Sequence, residues 1–220
     1  MKKDKFTNIR LQSKNIIAIY DQSSQGEKIE GKAWYKNANN LCRVMSEKYN
    51  LTLPQVVGII SALSPGTNWN QNVIDANTLC SLLGAGKDIR SITCTTYHRN
   101  KLKASYLWLH SELSEGEIFT ILLDASKKVN KTSSFYLNIL HPELSDNVTI
   151  DRHSCRVNLG VTVLPDQRLT EKKYKAMESA YKSASSQLQI SAIELQAITW
   201  ITFRRINNII RDKQFEVVPF

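Results

Sequence analysis

Two side chains of opposite charge stand where helices begin, and that placement gives them chemical meaning. Lys131 opens the run Lys131-Thr132-Ser133-Ser134-Phe135-Tyr136. Asp151 follows Val148-Thr149-Ile150 and precedes Arg152-His153-Ser154-Cys155-Arg156-Val157. An aspartate so placed is an N-cap: its carboxylate accepts from the free N–H groups of the first turn, and the helix dipole keeps it ionised. Such a group can stabilise a cation or act as a base. A lysine whose pKa is lowered by burial or by a neighbouring cation becomes a nucleophile. Taken alone, each has an ordinary alternative. Asp151 would be a plain helix cap, and Lys131 a solvated amine or phosphate contact among 29 Lys and Arg residues. The Asp151-x-His153 pair lacks the further ligands of a catalytic metal site, so no metal is expected, and no cofactor either.

The elements that must position these groups read as helices. Trp34, Ala38, Leu41 and Met45 recur on one helical face. Thr52 caps a helix with Pro54 in its first turn, and Val56, Val57, Ile59 and Ile60 make that helix apolar nearly all round, hence central and buried. Pro65-Gly66 turns the chain into a second stripe of Trp69, Val73, Ala76, Cys80 and Leu83. That corner is either a loop carrying function or a helix–turn–helix corner capped by Ser64 or Asn68. The stretch from Leu82 to Asn100 is looser, broken by Gly84 and Gly86. Helices are expected over Lys101–Leu113, from the capping box Ser114-Glu117, over Thr170–Leu188, and from the capping box Ser191-Glu194 as far as Ile210. Asn15–Asp21 is a short apolar piece, and Val161–Leu169 a connector. Strand-like alternations are too brief to anchor a sheet. The expectation is an all-α chain, one compact domain over residues 1–220 that could form two helical lobes, with flexible ends at about 1–10 and 212–220.

Composition sets bounds. With 220 residues, 42% hydrophobic and 22% charged, the chain can bury a sizeable core. A formal net charge of +9 favours an anionic partner, with nucleic acid first. Cys42, Cys80, Cys94 and Cys155 are spread without a C-x-x-C pair, which argues against a disulfide framework or zinc site and for reduced thiols in a cytoplasm. The longest apolar runs, such as Val56–Leu63, are too short to span a bilayer, and no apolar signal region follows Met1-Lys2-Lys3-Asp4-Lys5. A cytoplasmic monomer without membrane contact is expected.

The Lys131 and Asp151 segments together resemble the helix-hairpin-helix DNA glycosylases, the superfamily that contains endonuclease III. That family opens one helix with Gly-x-Lys-Thr-Ala and continues with Val-Asp-x-His-x-x-Arg-Val-x-x-Arg-Leu-Gly. Here the residues are Val129-Asn130-Lys131-Thr132-Ser133, then Ile150-Asp151-Arg152-His153-Ser154-Cys155-Arg156-Val157 and Leu159-Gly160. Lys127 and Val129 stand in the places of two hairpin glycines, whose positive φ lets the backbone approach a phosphate. The Ser61–Asn72 corner resembles the family's Leu-Ser-Ala-Gln-x-Thr loop, which reaches the minor groove, with Leu63 in place of the glutamine. No cysteine after Cys155 could supply the iron–sulfur loop that some members carry. The chain is also similar, from about Gly31 to Arg205, to bacteriophage proteins with glycosylase-like cores. The shared features are Trp34-Tyr35, Ala62-Leu63-Ser64-Pro65 with Trp69 and Asn70, Lys131-Thr132-Ser133-Ser134-Phe135-Tyr136, Asp151-Arg152-His153, and Leu195-Gln196-Ala197-Ile198-Thr199-Trp200.

The resemblance implies a two-lobed helix-hairpin-helix fold and an enzyme acting on a flipped-out base in DNA. Asp151 would stabilise the oxocarbenium-like sugar, and Lys131 would attack C1′, form a Schiff base and permit strand cleavage by β-elimination. Ser64, Asn68, Trp69 and Asn72 on the early loop, and Gln196 and Trp200 on the last helix, would meet DNA or the flipped base. His153 would also contact DNA or the base, and Arg152, Arg156 and Arg204, with Arg205, would grip phosphates. Two alternatives stand beside excision. One is a phage transferase that decorates a hypermodified pyrimidine in DNA, with Asp151 deprotonating an incoming amine. The other is a DNA-binding protein without chemistry. A phage-encoded protein of this kind would work in the cytoplasm of its bacterial host.

Overall fold

Helix starts in this chain are set by side chains that can accept from the first turn, where backbone N–H groups have no partner within the helix. Thr52, Ser114, Asn130 and Ser191 form reciprocal capping boxes with Gln55, Glu117, Ser133 and Glu194. Asn8, Asn68, Asp151 and Thr170 each cap with a single side-chain acceptor. In a computed structural model that describes residues 4–123, 130–164 and 169–208, these caps introduce most of the helices, and no strand occurs among the described residues. In chain order the helices are α1 (Ile9–Tyr20), α2 (Gln25–Tyr49), α3 (Leu53–Leu63), α4 (Trp69–Gly84), α5 (His98–Leu109), α6 (Glu115–Leu122), α7 (Lys131–Leu140), α8 (Arg152–Leu159), α9 (Glu171–Leu188) and α10 (Ala192–Ile206), with one 3-10 turn at Ile89–Ser91. The protein is all-α in its described residues.

The chain divides into two compact units, with the break inside α2 after Tyr35. The first unit takes residues 4–35 together with the described chain from Asn130 onward. The second takes residues 36–123.

The first unit is built around α1, which packs on α8, α9 and α10. Its core contains Ile16, Val148, Ile150, Val157, Met177, Tyr181, Leu195 and Phe203. The short extended segment before Asp151 is held from several sides. The Tyr174 hydroxyl donates to the Val148 carbonyl (2.8 Å), accepts from the Ile150 N–H (3.1 Å) and lies 3.0 Å from the Ser134 hydroxyl. Asn138 Nδ2 donates to Thr149 Oγ1 (3.0 Å), and the Val148 N–H donates to Glu178 (3.0 Å). Gly160 ends α8 at φ +63°, the left-handed conformation a C-terminal glycine takes without strain. Gly31 of α2 meets α10 so closely that a Cβ there would fall 2.5 Å from Ile198 Cγ1 and 2.7 Å from its backbone.

In the second unit α3 is the centre. Val56, Val57, Ile59, Ile60 and Leu63 are fully buried, and α3 packs against α4, α5 and α6.

Three boundaries depart from the sequence reading. The N-terminal end expected to be flexible is packed from Phe6, which is buried, and Asn8 caps α1. The helix expected over Lys101–Leu113 runs instead from His98 to Leu109, because Tyr97 is extended and starts it without a side-chain cap, and His110 leaves helical geometry. The last helix stops at Ile206, with Asn207 as its cap, short of the expected Ile210, which lies outside the described residues. Lys127, Val129 and the expected flexible end at 212–220 also lie outside them.

Candidate active site

Asp151 is extended, directly ahead of α8, and both of its oxygens are engaged. Oδ1 accepts from the Ser154 N–H at 2.7 Å as the N-cap, and Oδ2 accepts from Trp200 Nε1–H at 3.1 Å. Behind the cap runs a buried chain of donors. The Tyr35 hydroxyl donates to Gln196 Oε1 (2.8 Å), Gln196 Nε2 donates to Ser154 Oγ (3.2 Å), and Ser154 Oγ donates to the Thr149 carbonyl (3.2 Å). The carboxylate is therefore fixed in direction as well as in place.

Lys131 is the first residue of α7, after the Asn130–Ser133 capping box, with its ammonium 5.2 Å from the centre of the Phe135 ring. It is partly buried. Burial lowers its pKa to about 8, opposed by the charge of Asp151. A helix N-terminus also disfavours a cation. The structure thus brings Lys131 and Asp151 within electrostatic reach of each other.

Aromatic rings and further cations complete the surroundings. Trp34 packs against Tyr35, Phe135 and Trp200, with ring centres 4.9, 5.9 and 6.2 Å away. His153 lies 6.2 Å from both Trp200 and Phe203. Burial lowers the His153 pKa, and Arg156, Arg204 and Arg152 push the same way against Asp151. Its Nδ1, like Arg156 Nε, is a buried atom without a hydrogen-bond partner among the described residues. Arg204 is buried with its guanidinium 4.7 Å from the centre of the Trp200 ring, whereas Arg152 is exposed. Arg205 is committed elsewhere, to Glu27 at 2.7 Å. Asp151 thus lies within electrostatic reach of Lys131 and His153, and the guanidiniums of Arg152, Arg156 and Arg204 lie within reach of His153.

The early-loop candidates belong to the second unit, where Ser64 and Asn68 have local hydrogen bonds. Ser64 ends α3 and donates to the Ser61 carbonyl at 2.9 Å. Asn68 caps α4 through the Gln71 N–H at 2.8 Å. Trp69 is buried. Asn72 is buried too, and its Oδ1 finds no hydrogen-bond partner among the described residues. Gly66, at φ +85°, makes the turn between the two helices. Three residues of the first-unit site were not singled out by chemistry in the sequence. Phe135 stands four residues after Lys131, a spacing that puts both on one helix face, and Ser154 stands at the third helical position after its cap. Trp34 gave no local signal beyond its apolar stripe.

Among the described residues no group of three or more His, Cys, Asp or Glu side chains could hold a metal ion, and no helix is long and apolar enough to cross a membrane. Fold and site together define a class: an all-helical protein, in its described residues, with a helix-capping carboxylate within electrostatic reach of a lysine of lowered pKa. Within it, the chain belongs to the family of unknown function DUF7178, whose model matches residues 1–207. No protein of curated function and no solved structure matches the chain.

Proposed function

We propose that this protein is a DNA glycosylase with lyase capacity, acting on a base turned out of the stack. The observation that carries the reading is the pairing of a doubly held carboxylate, Asp151, with Lys131, whose pKa of about 8 leaves a usable fraction of free amine near neutrality. When the C1′–N bond breaks, the base leaves with the bonding electrons and takes up a proton, and positive charge develops on the sugar. An ionised carboxylate fixed in advance stabilises that charge without reorganising. The lone pair of Lys131 Nζ then closes on C1′, the nitrogen gives up a proton, and the C1′–O4′ bond breaks as O4′ takes one up, leaving an iminium at C1′. The iminium acidifies C2′, water takes a C2′ proton, and the C3′–O bond breaks so that the 3′ phosphate leaves with its electron pair. Arg152, Arg156 and Arg204 suit the phosphates on either side, and His153, neutral at physiological pH because burial lowers its pKa, adds a donor without a further charge.

The experiment is borohydride trapping on DNA carrying an abasic site or a damaged base, with wild type, Lys131→Ala and Asp151→Asn. A covalent adduct that is lost with Lys131→Ala supports the reading. No adduct from wild type, with DNA binding retained, removes the Schiff-base mechanism. Conversion of an activated pyrimidine in phage DNA would then identify the transferase.

A further inference from the structure

We infer that Trp200 is a positioning residue that orients the Asp151 carboxylate, and not a wall against which a base stacks. The inference rests on the chemistry proposed above for Asp151 and assigns Trp200 a different part in it from the one its type suggests. An indole Nε1–H is a donor only and does not titrate, so it cannot exchange roles with the carboxylate. At 3.1 Å from Oδ2 it fixes one lone pair of that oxygen and leaves the other directed elsewhere. The ring is itself held. Trp34 and His153 meet it edge-on at 6.2 Å, and the Arg204 guanidinium lies over it at 4.7 Å. A ring engaged in that way is poorly placed to receive a flipped base, whereas its N–H is well placed to hold an oxygen.

A second contact of α10 supports the assignment independently. Gln196, one turn before Trp200 on the same helix face, donates to Ser154 Oγ at 3.2 Å, and the Ser154 N–H holds the other oxygen of Asp151 at 2.7 Å. One face of α10 therefore sets both oxygens, Oδ2 directly and Oδ1 through Ser154. The groups whose titration Asp151 influences are Lys131 on α7, His153 and Cys155 on α8, Tyr35 on α2 and Tyr181 on α9.

The test uses the full chain in two arms. In single-substrate kinetics on lesion-bearing DNA, Trp200→Phe keeps an aromatic ring and removes the donor. The expected result is a fall in kcat of about ten- to a hundredfold, the range of a charge-assisted hydrogen bond, with KM unchanged within about twofold. Wild-type kcat in Trp200→Phe, with a raised KM in Trp200→Ala, would make the ring a stacking wall and overturn the assignment. The second arm needs neither activity nor a folded Trp200 variant. The Trp200 indole N–H resonance of wild type should be displaced in Asp151→Asn. An identical resonance in wild type and Asp151→Asn overturns the assignment. If wild type cleaves none of the lesion DNAs, the glycosylase reading fails by itself, and the indole resonance alone decides the role of Trp200.

Discussion

Lys131 offers a quantitative test, because its role depends on how much of it is uncharged. With a pKa of about 8 in place of 10.5, the free-amine fraction is about one tenth at pH 7, one half at pH 8 and nine tenths at pH 9. An ordinary lysine would be free in only about one molecule in three thousand at pH 7. The assay is single-turnover adduct formation on abasic DNA, enzyme in excess and salt constant, quenched with borohydride at fixed times. The trapping rate should rise about fivefold from pH 7 to 8, less than twofold from 8 to 9, and then level off. A rate that keeps rising tenfold per pH unit through pH 9 would mean an unperturbed amine, and a flat profile would mean that Lys131 is not the nucleophile. Stability supplies a second reading. The folded state releases this proton at lower pH than the unfolded chain, so between about pH 8 and 10.5 the unfolded chain holds more protons. Lys131 therefore weakens the fold below pH 8, and the penalty fades as pH rises through that window. Lys131→Met keeps the apolar stem and removes the charge, so it should abolish trapping yet melt no lower than wild type at pH 7. A lower melting temperature for Lys131→Met would refute the burial argument.

Three further outcomes follow from the same geometry. Asp151→Asn keeps an oxygen for the Ser154 N–H but sets its NH2 against the Trp200 Nε1–H donor, so urea stability should fall by about 1–3 kcal/mol while the rate drops by at least about a hundredfold; an active, folded variant would remove the carboxylate from the chemistry. Gly31→Ala sets a Cβ 2.7 Å from the backbone of Ile198, which cannot rotate aside, so the urea midpoint should fall by the equivalent of about 1–3 kcal/mol, and a wild-type midpoint would contradict the close crossing. Burial alone would raise the Glu27 carboxyl, but hydrogen bonds and charge from Arg205 together with the Ser24 N–H and hydroxyl hold it below its usual 4.5. Its stabilisation is present above pH 4.5 and is lost as pH falls through the lowered folded value, so Glu27→Gln should flatten the urea midpoint between pH 5 and 3 relative to wild type.

What the sequence made legible was local. Thr52, Ser114, Asp151 and Ser191 announce helix starts because cap and partner lie three residues apart, and the structure closes each of those caps. The apolar stripe of α3 likewise reads directly as a buried helix. Helix α1 was hidden because two of its inward residues are polar. Gln12 and Ser13 are buried and donate to the carbonyls of Lys5 and Ala180, the second a partner that no window of sequence connects to Ser13. The same division runs through the site. Lys131 and Asp151 stand out by their own helix positions. The engagement of Trp200 with Asp151 and of Gln196 with Ser154 spans 49 and 42 residues, so residue type alone could not show these hydrogen bonds.

The distribution of unfavourable terms in the first unit argues that the surroundings of Asp151 are shaped by something other than stability. Many buried polar groups of that unit are matched. Tyr174 serves Val148 and Ile150, Tyr181 meets Thr199, and Asn138 joins Thr149 to Ser145. The two buried amide oxygens without partners, on Gln12 and Asn158, are neutral, and each of those side chains still donates through its nitrogen. On α8, beside Asp151, the unmatched atoms fall on ionisable side chains, His153 Nδ1 and Arg156 Nε, and burial pushes the Lys131 ammonium toward neutrality. Each is costly in the folded state, and a hydrophobic residue in its place would relieve the cost. Costs of this kind gathered about one rigid carboxylate are expected where a charged ligand completes the set, since an entering phosphate would meet the guanidiniums and a reacting sugar would meet Asp151.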